Sequence, residues 1–140
     1  MSKSTVQPAP RPVEHFFDGR RESIRSARLL VRETLVLWGL DGLIDPAMLL
    51  VSELATNAVL HCTVSEALFK VDIVNDGTHV IIGVSDPDRD HWPDEPRFDL
   101  MAEDGRGILL VASYADECGC ELLTFTKRVW VKVRIDTGAA

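Results

Sequence analysis

The sequence lacks a metal-binding cysteine pattern. Its three cysteines are Cys62, Cys118 and Cys120, and Cys118-Gly-Cys120 has no second pair to complete a zinc site. An odd count in a chain of this size fits reduced thiols rather than a disulfide framework, and therefore a cytoplasmic setting. A basic surplus is also missing. The chain carries 15 Lys and Arg against 22 Asp and Glu, a net charge of −7, which argues against direct nucleic-acid binding. The opening residues, MSKSTVQPAPRP, have no apolar segment of the kind that begins a secretory leader. No apolar run approaches the roughly 20 residues that cross a bilayer, so no membrane partner is expected. The Walker pattern G-x-x-x-x-G-K-[ST] and the protein-kinase signature set are absent, and no stretch repeats.

What remains is enough for one domain with a real core: 140 residues, 46% hydrophobic and 26% charged. The stretch LLVSELATNAVLH, Leu49 to His61, has no Gly or Pro and keeps helical spacing. On a helical wheel Met48, Val51, Leu54, Ala55, Ala58 and Val59 form an apolar stripe. Glu53, Asn57 and His61 fall together on the other side, flanked by Leu49, Leu50 and Leu60. A polar trio hedged by leucines faces neither open solvent nor plain core. Glu, ionised at neutral pH, can take a proton from a hydroxyl or water. Asn offers a hard oxygen suited to Mg²⁺. The plainer reading is a helix with a satisfied polar seam, and the helix alone does not decide between the two.

In chain order, residues 1–12 hold three of the seven prolines and read as a disordered tail. Val13–Phe17 is a candidate strand ended by Asp18-Gly19. Arg20–Gly39 is an amphipathic helix, with Ile24, Ala27, Val31, Leu35 and Trp38 on its stripe and Arg21, Arg25, Arg28 and Arg32 off it. Gly39 marks its stop. Asp45-Pro46 opens the next helix as N-cap and first position. Phe69–Val74 and His79–Ser85 flank Asn75-Asp76-Gly77, a hairpin signal. Asp86–Asp104 has no periodicity, three prolines and eight acidic residues, and reads as a functional lid. Gly105–Asp116 returns to helix, Cys118–Phe125 and Val129–Ile135 make a closing hairpin, and residues 137–140 fray. The single domain therefore spans residues 13–136. Five strands and three helices predict an α/β (α+β) fold, a two-layer sandwich of a mixed, largely antiparallel sheet covered on one face by helices.

Gly105-Arg106-Gly107 immediately precedes the apolar residues beginning at Ile108. Glycines let backbone N–H groups approach a ligand, and a helix N-terminus favours an anion, so this is either a phosphate site or an ordinary turn. Asp86 closes the strand IIGVSD. It is either a carboxylate that accepts an exocyclic amine of a base or a turn residue before Pro87.

The order of these pieces is more specific than any one of them. VSELATNAVLH, then VSDPDRD, then EDGRGILLVASYADECG resembles the three boxes of the GHKL ATP-binding domain, the Bergerat fold. The leading strand and Arg-rich helix resemble the bacterial anti-sigma factor serine/threonine-kinase family, and the similarity runs from about Val13 to Ile135. The resemblance implies ATP and Mg²⁺ as cofactors and transfer of the γ-phosphate to a Ser or Thr of a partner. That partner would be a regulatory protein, a sigma factor or an anti-sigma antagonist, and the family also works as dimers. Glu53 would be the general base, Asn57 the Mg²⁺ ligand, and His61 a polar residue near the phosphates. Asp86 would bind the adenine amino group. Gly105 and Gly107 would let the loop close on the phosphates, with Arg106 and Ile108 beside them. Two departures stand out. Pro87, Asp88, Arg89 and Asp90 replace the glycines of the second box, and Arg128 takes the place of a small hydroxyl residue before the last strand. The altered second box favours the alternative, a non-catalytic protein-interaction module that binds nucleotide weakly or not at all and sequesters a regulatory partner, whereas intact Glu53 and Asn57 favour the kinase; Arg128 bears on the adenine contact.

Overall fold

Alternation builds the sheet. In KRVWVKVR, Lys127–Arg134, buried Lys127, Val129, Val131 and Val133 interleave with more exposed residues, because successive side chains of a strand point to opposite faces. The computed structural model describes residues 9–62, 64–90 and 115–135. Within it the strands are β1 Val13–Asp18, β2 Leu68–Asn75, β3 His79–Asp86, β4 Glu117–Leu122 and β5 Lys127–Arg134. They form one sheet in the order β1-β2-β3-β5-β4. Every described neighbour pair is antiparallel.

Two helices, α1 Glu22–Leu37 and α2 Ile44–His61, share the core with one face of the sheet. Ala27, Val31 and Leu35 of α1 and Ala47, Leu50, Val51, Leu54, Ala55 and Ala58 of α2 are buried with Phe69, Val71, Ile73, Val80, Ile82, Val84 and the valines of β5. Ile24 and Trp38 pack at the edge of that core, and the arginines of α1 stay outside. This is the expected two-layer α+β sandwich. Of the third predicted helix, Gly105–Asp116, only Ala115 and Asp116 are described, and both lie in the connection into β4. Residues 1–8 and 137–140 of the predicted tails, and residue 136 of the predicted domain, lie outside the described residues, and 9–12 have no regular structure.

The end of α1 follows the residue chosen for it. Gly39 sits at φ 72°. Its N–H donates to Val36 O at 3.0 Å, and the Leu40 N–H reaches back to Leu35 O at 2.8 Å, the paired bonds of a Schellman cap. Gly39→Ala is therefore expected to lower stability by about 1 kcal/mol, the cost of a Cβ in the left-handed region. The check is a reduced urea midpoint at unchanged slope.

The start of α2 differs from expectation. A short 3₁₀ turn, Asp41–Leu43, leads straight into the helix at Ile44, with Leu43 at the N-cap. Asp45 falls inside the first turn instead, where its negative charge suits the exposed N–H groups. The residues expected to flank the polar face divide: Leu50 belongs to the core, Leu49 is half-buried, and Leu60 is 48% exposed, while Met48 of the expected apolar stripe is only half-buried. The stretch Asp41–Leu60 reaches a mean hydropathy of 1.4 and is long and apolar enough to cross a membrane by length and composition, contrary to the sequence expectation. Six of its residues, Ala47, Leu50, Val51, Leu54, Ala55 and Ala58, are buried in the core shared with the sheet.

The β2–β3 hairpin turns on Asp76. Its carboxylate accepts the N–H groups of Thr78 at 2.9 Å and His79 at 2.7 Å. These bonds hold its pKa below the ordinary carboxylate value. The resulting stabilisation is present at neutral pH and is lost as pH falls through the lowered pKa.

Candidate functional site

The last two turns of α2, the end of β3 and the β1–α1 junction enclose a cavity of about 450 Å³. That volume lies within the range of small-molecule sites, about 300–1,000 Å³. Ala58, Val59 and Cys62 line it from the helix side, and Leu68, Phe69 and Asp86 from the sheet. Asp18, Gly19 and Arg20 stand at the β1–α1 junction, with Val64, Glu66 and Ala67 on the turn before β2. That turn holds Glu66 at φ 58°, a left-handed conformation that a residue with a Cβ adopts at some cost.

Asp18 ties the junction together. It accepts the Ser23 hydroxyl at 2.7 Å and the Arg20 N–H at 3.3 Å. The hydroxyl bond is the main reason its pKa lies below the ordinary value. On the opposite wall burial pushes the Cys62 thiol up, so it is not a poised nucleophile. Cys118 and Cys120 pair with Val131 and Val129 across β4 and β5 and pack against the core. Burial pushes the Cys120 thiol up to about 11.

Asp86 is the buried one of the charged residues that line the cavity, 4% exposed. The sequence pattern KRVWVKVR also explains its neighbour. Asp86 pairs in register with Lys127, and Ser85 with Arg128. Lys127 shares the core-facing phase of Val129, Val131 and Val133, so its Nζ lies 3.9 Å from Asp86 Oδ2, both side chains almost fully buried. Asp86 Oδ1 also accepts the Asp88 N–H at 2.8 Å.

Arg128, which stands where the family has a small hydroxyl residue near the adenine-contacting Asp, points to the other face of the sheet. There its Nε and Nη2 grip both oxygens of Asp72, at 3.0 and 2.7 Å, and Nη1 lies 3.5 Å from Glu121. Gly83 makes room: a Cβ there would fall 2.4 Å from Arg128 Nε. The residue that sequence reasoning missed is therefore Lys127. Counting the period of two back from Val129 would have found it.

The other predicted site residues divide. Glu53 and Asn57 lie one turn apart on α2, both half-buried, but neither lines the cavity. His61 closes the helix, and its side chain lies outside the described residues, as do Gly105, Arg106, Gly107 and Ile108 and most of the predicted lid. At the described start of that lid, Pro87–Asp90 forms a turn. The Arg89 N–H donates to Pro87 O at 2.9 Å and Arg89 Nε to Leu123 O at 3.0 Å, which ties the segment to the β4–β5 turn.

No family model matches the chain, and no curated protein matches it significantly. Among solved structures it is similar to the crystal structure of the RsbU and RsbW domains of Rv1364c from Mycobacterium tuberculosis. The TM-score is 0.63 and the identity 18%, over 90% of this chain and 33% of that one. The chain thus spans a third of that protein, and what the two share is the fold, an α+β sandwich.

Proposed function

We propose that this chain is an ATP-binding regulatory protein of the anti-sigma factor kinase type, which transfers the γ-phosphate of ATP to a Ser or Thr of a partner protein. The reading rests on one observation. A buried carboxylate, Asp86, stands at the end of a central strand in the wall of a cavity closed by the helix that carries Glu53 and Asn57. A carboxylate in such a wall suits the exocyclic amine of a base, and the volume suits a nucleotide's base and part of its sugar. The similarity to a structure containing an RsbW domain supports the same reading.

In this proposal the Asn57 amide oxygen would hold a magnesium ion, whose contribution is to neutralise charge on the phosphates. Glu53, one turn earlier, would accept the proton of the attacking hydroxyl. The exposed face of α1, with Arg25, Arg28 and Arg32 beside Leu29 and Val36, would receive an acidic or helical segment of the partner protein. A sigma factor or an anti-sigma antagonist is the partner class we infer, with the chain working as a homodimer. Asn57→Ala is expected to remove the magnesium-dependent part of ATP affinity and to leave the fold intact. Isothermal calorimetry with and without Mg²⁺ is the measurement, and equal titrations for the two proteins would refute the assignment.

A second reading is a protein-interaction module that does no chemistry. Two observations favour it: Glu53 and Asn57 do not line the cavity, and Lys127 already neighbours the carboxylate. Saturating ATP with partner present but no phosphate transfer would select this reading.

A further inference from the structure

Among the described residues the helices pack on one face of the sheet. The strand residues of the opposite phase make a second face, and two glycines keep it flat. A Cβ at Gly83 would fall 2.4 Å from Arg128 Nε, and one at Gly119 would fall 2.5 Å from Trp130 Cζ2. The guanidinium and the indole therefore lie down on the sheet instead of standing off it. The face also carries one kind of cluster twice, once on each side of the central strand β3. On β1 and β2, Phe16 is 60% exposed, Lys70 Nζ sits 5.9 Å from its ring centroid, and Glu14 lies 3.7 Å from that ammonium. On β5 and β4, Trp130 is half-buried, Lys132 Nζ sits 5.9 Å from its ring centroid, and Glu117 lies 3.6 Å from that ammonium. Half-buried Ile81 stands between the two on β3.

We propose that this second sheet face is the surface on which another copy of the chain docks, sheet against sheet, about a twofold axis running along β3. It deepens the homodimer of the reading above by assigning its face. The axis sets each aromatic cluster of one copy against the opposite cluster of the other, the self-complementary pairing that a twofold dimer requires. A flat sheet face suits another sheet, packed about 10 Å away. Charge points the same way. The chain carries −7, so two copies repel each other in general. On this face Lys70, Arg128 and Lys132 are each paired with a carboxylate, which leaves neither a net acidic field nor a basic stripe for nucleic acid. Five strands about 4.8 Å apart and about seven residues long at about 3.3 Å each cover on the order of 550 Å². Two such faces bury about 1,100 Å², at the lower edge of specific interfaces, so the dimer is expected to come apart on dilution.

The test is sedimentation equilibrium of the full chain over a range of concentrations. The unsubstituted chain should pass from monomer to dimer as concentration rises. Phe16→Glu, shown to be folded by circular dichroism, should associate roughly tenfold or more weakly, as expected for a lost aromatic anchor. Leu37→Glu, on the helix layer and 81% exposed, should associate like the parent. A chain that stays monomeric throughout overturns the proposal. So does Phe16→Glu associating like the parent, or Leu37→Glu weakening association as much as Phe16→Glu. If Phe16→Glu does not fold, Ile81→Glu puts the same question at the centre of the face. ATP titrated into the same proteins keeps the two readings apart. ATP binding by a chain that never dimerises overturns the docking face alone, and a dimer that binds no ATP overturns the nucleotide reading alone.

Discussion

Replacing Glu53 by Gln is expected to slow phosphoryl transfer by about 10²–10⁴, the usual share of a general base, with little change in ATP affinity. The side chain is half-buried on α2, one turn before Asn57. The substitution keeps its shape and removes its negative charge and, with it, its ability to take a proton. Because Glu53 does not line the cavity, it is not expected to hold the base. Loss of a negative charge near phosphates would if anything tighten binding. Single-turnover transfer to a partner, measured beside a titration on the same protein, separates the two effects. An unchanged rate would remove Glu53 from the chemistry without touching the binding site.

The largest effect on stability is expected from Arg128→Met. The guanidinium bridges both oxygens of Asp72, a residue only 8% exposed, across the intervening strand. Removing one partner of a buried pair leaves the other charge uncompensated, a loss of roughly 3–5 kcal/mol. With Arg128 side-chain exposure at 18% and Glu121 at 48%, the lower end of that range is the expectation. Asp72→Asn in the same chain should recover part of the loss, because the orphaned charge is then gone. Urea denaturation of the two single variants and the double variant gives the coupling directly. An Arg128→Met protein as stable as the parent would mean that the pair contributes nothing net.

Much of this fold could be read from local pattern. The period of two in KRVWVKVR set which of its residues face the helices, and the 3.6-residue period in α1 set its buried stripe, whereas HVIIGVSD is buried along most of its length and carries no such phase. Gly39 and Asp76 sat where the turns needed them. The errors came where one signal was read without its neighbour. Asp45-Pro46 resembles a helix start, but the preceding 3₁₀ turn had already begun winding the chain. Arg128 was chosen by its distance along the sequence from the last apolar strand, whereas strand phase gives the position beside Asp86 to Lys127. The pairing of β3 with β5 lies beyond any local pattern, because no short-range signal says which strands become neighbours. The residues proposed to meet phosphate, Gly105 to Ile108, fall outside the described structure.

That β3–β5 pairing also bears on the order of assembly. The α1–α2 contact and the β2–β3 hairpin join segments close in sequence, while Asp86 meets Lys127 only after a long connection has been closed. Loop closure must be completed before such distant contacts stabilise anything, which makes them late events in a folding reaction. The charged floor of the cavity would then be absent from the folding nucleus. A ligand seated on Asp86 would slow unfolding while leaving the refolding rate nearly unchanged; under the nucleotide-binding proposal, ATP would act as a kinetic lock on a domain already formed.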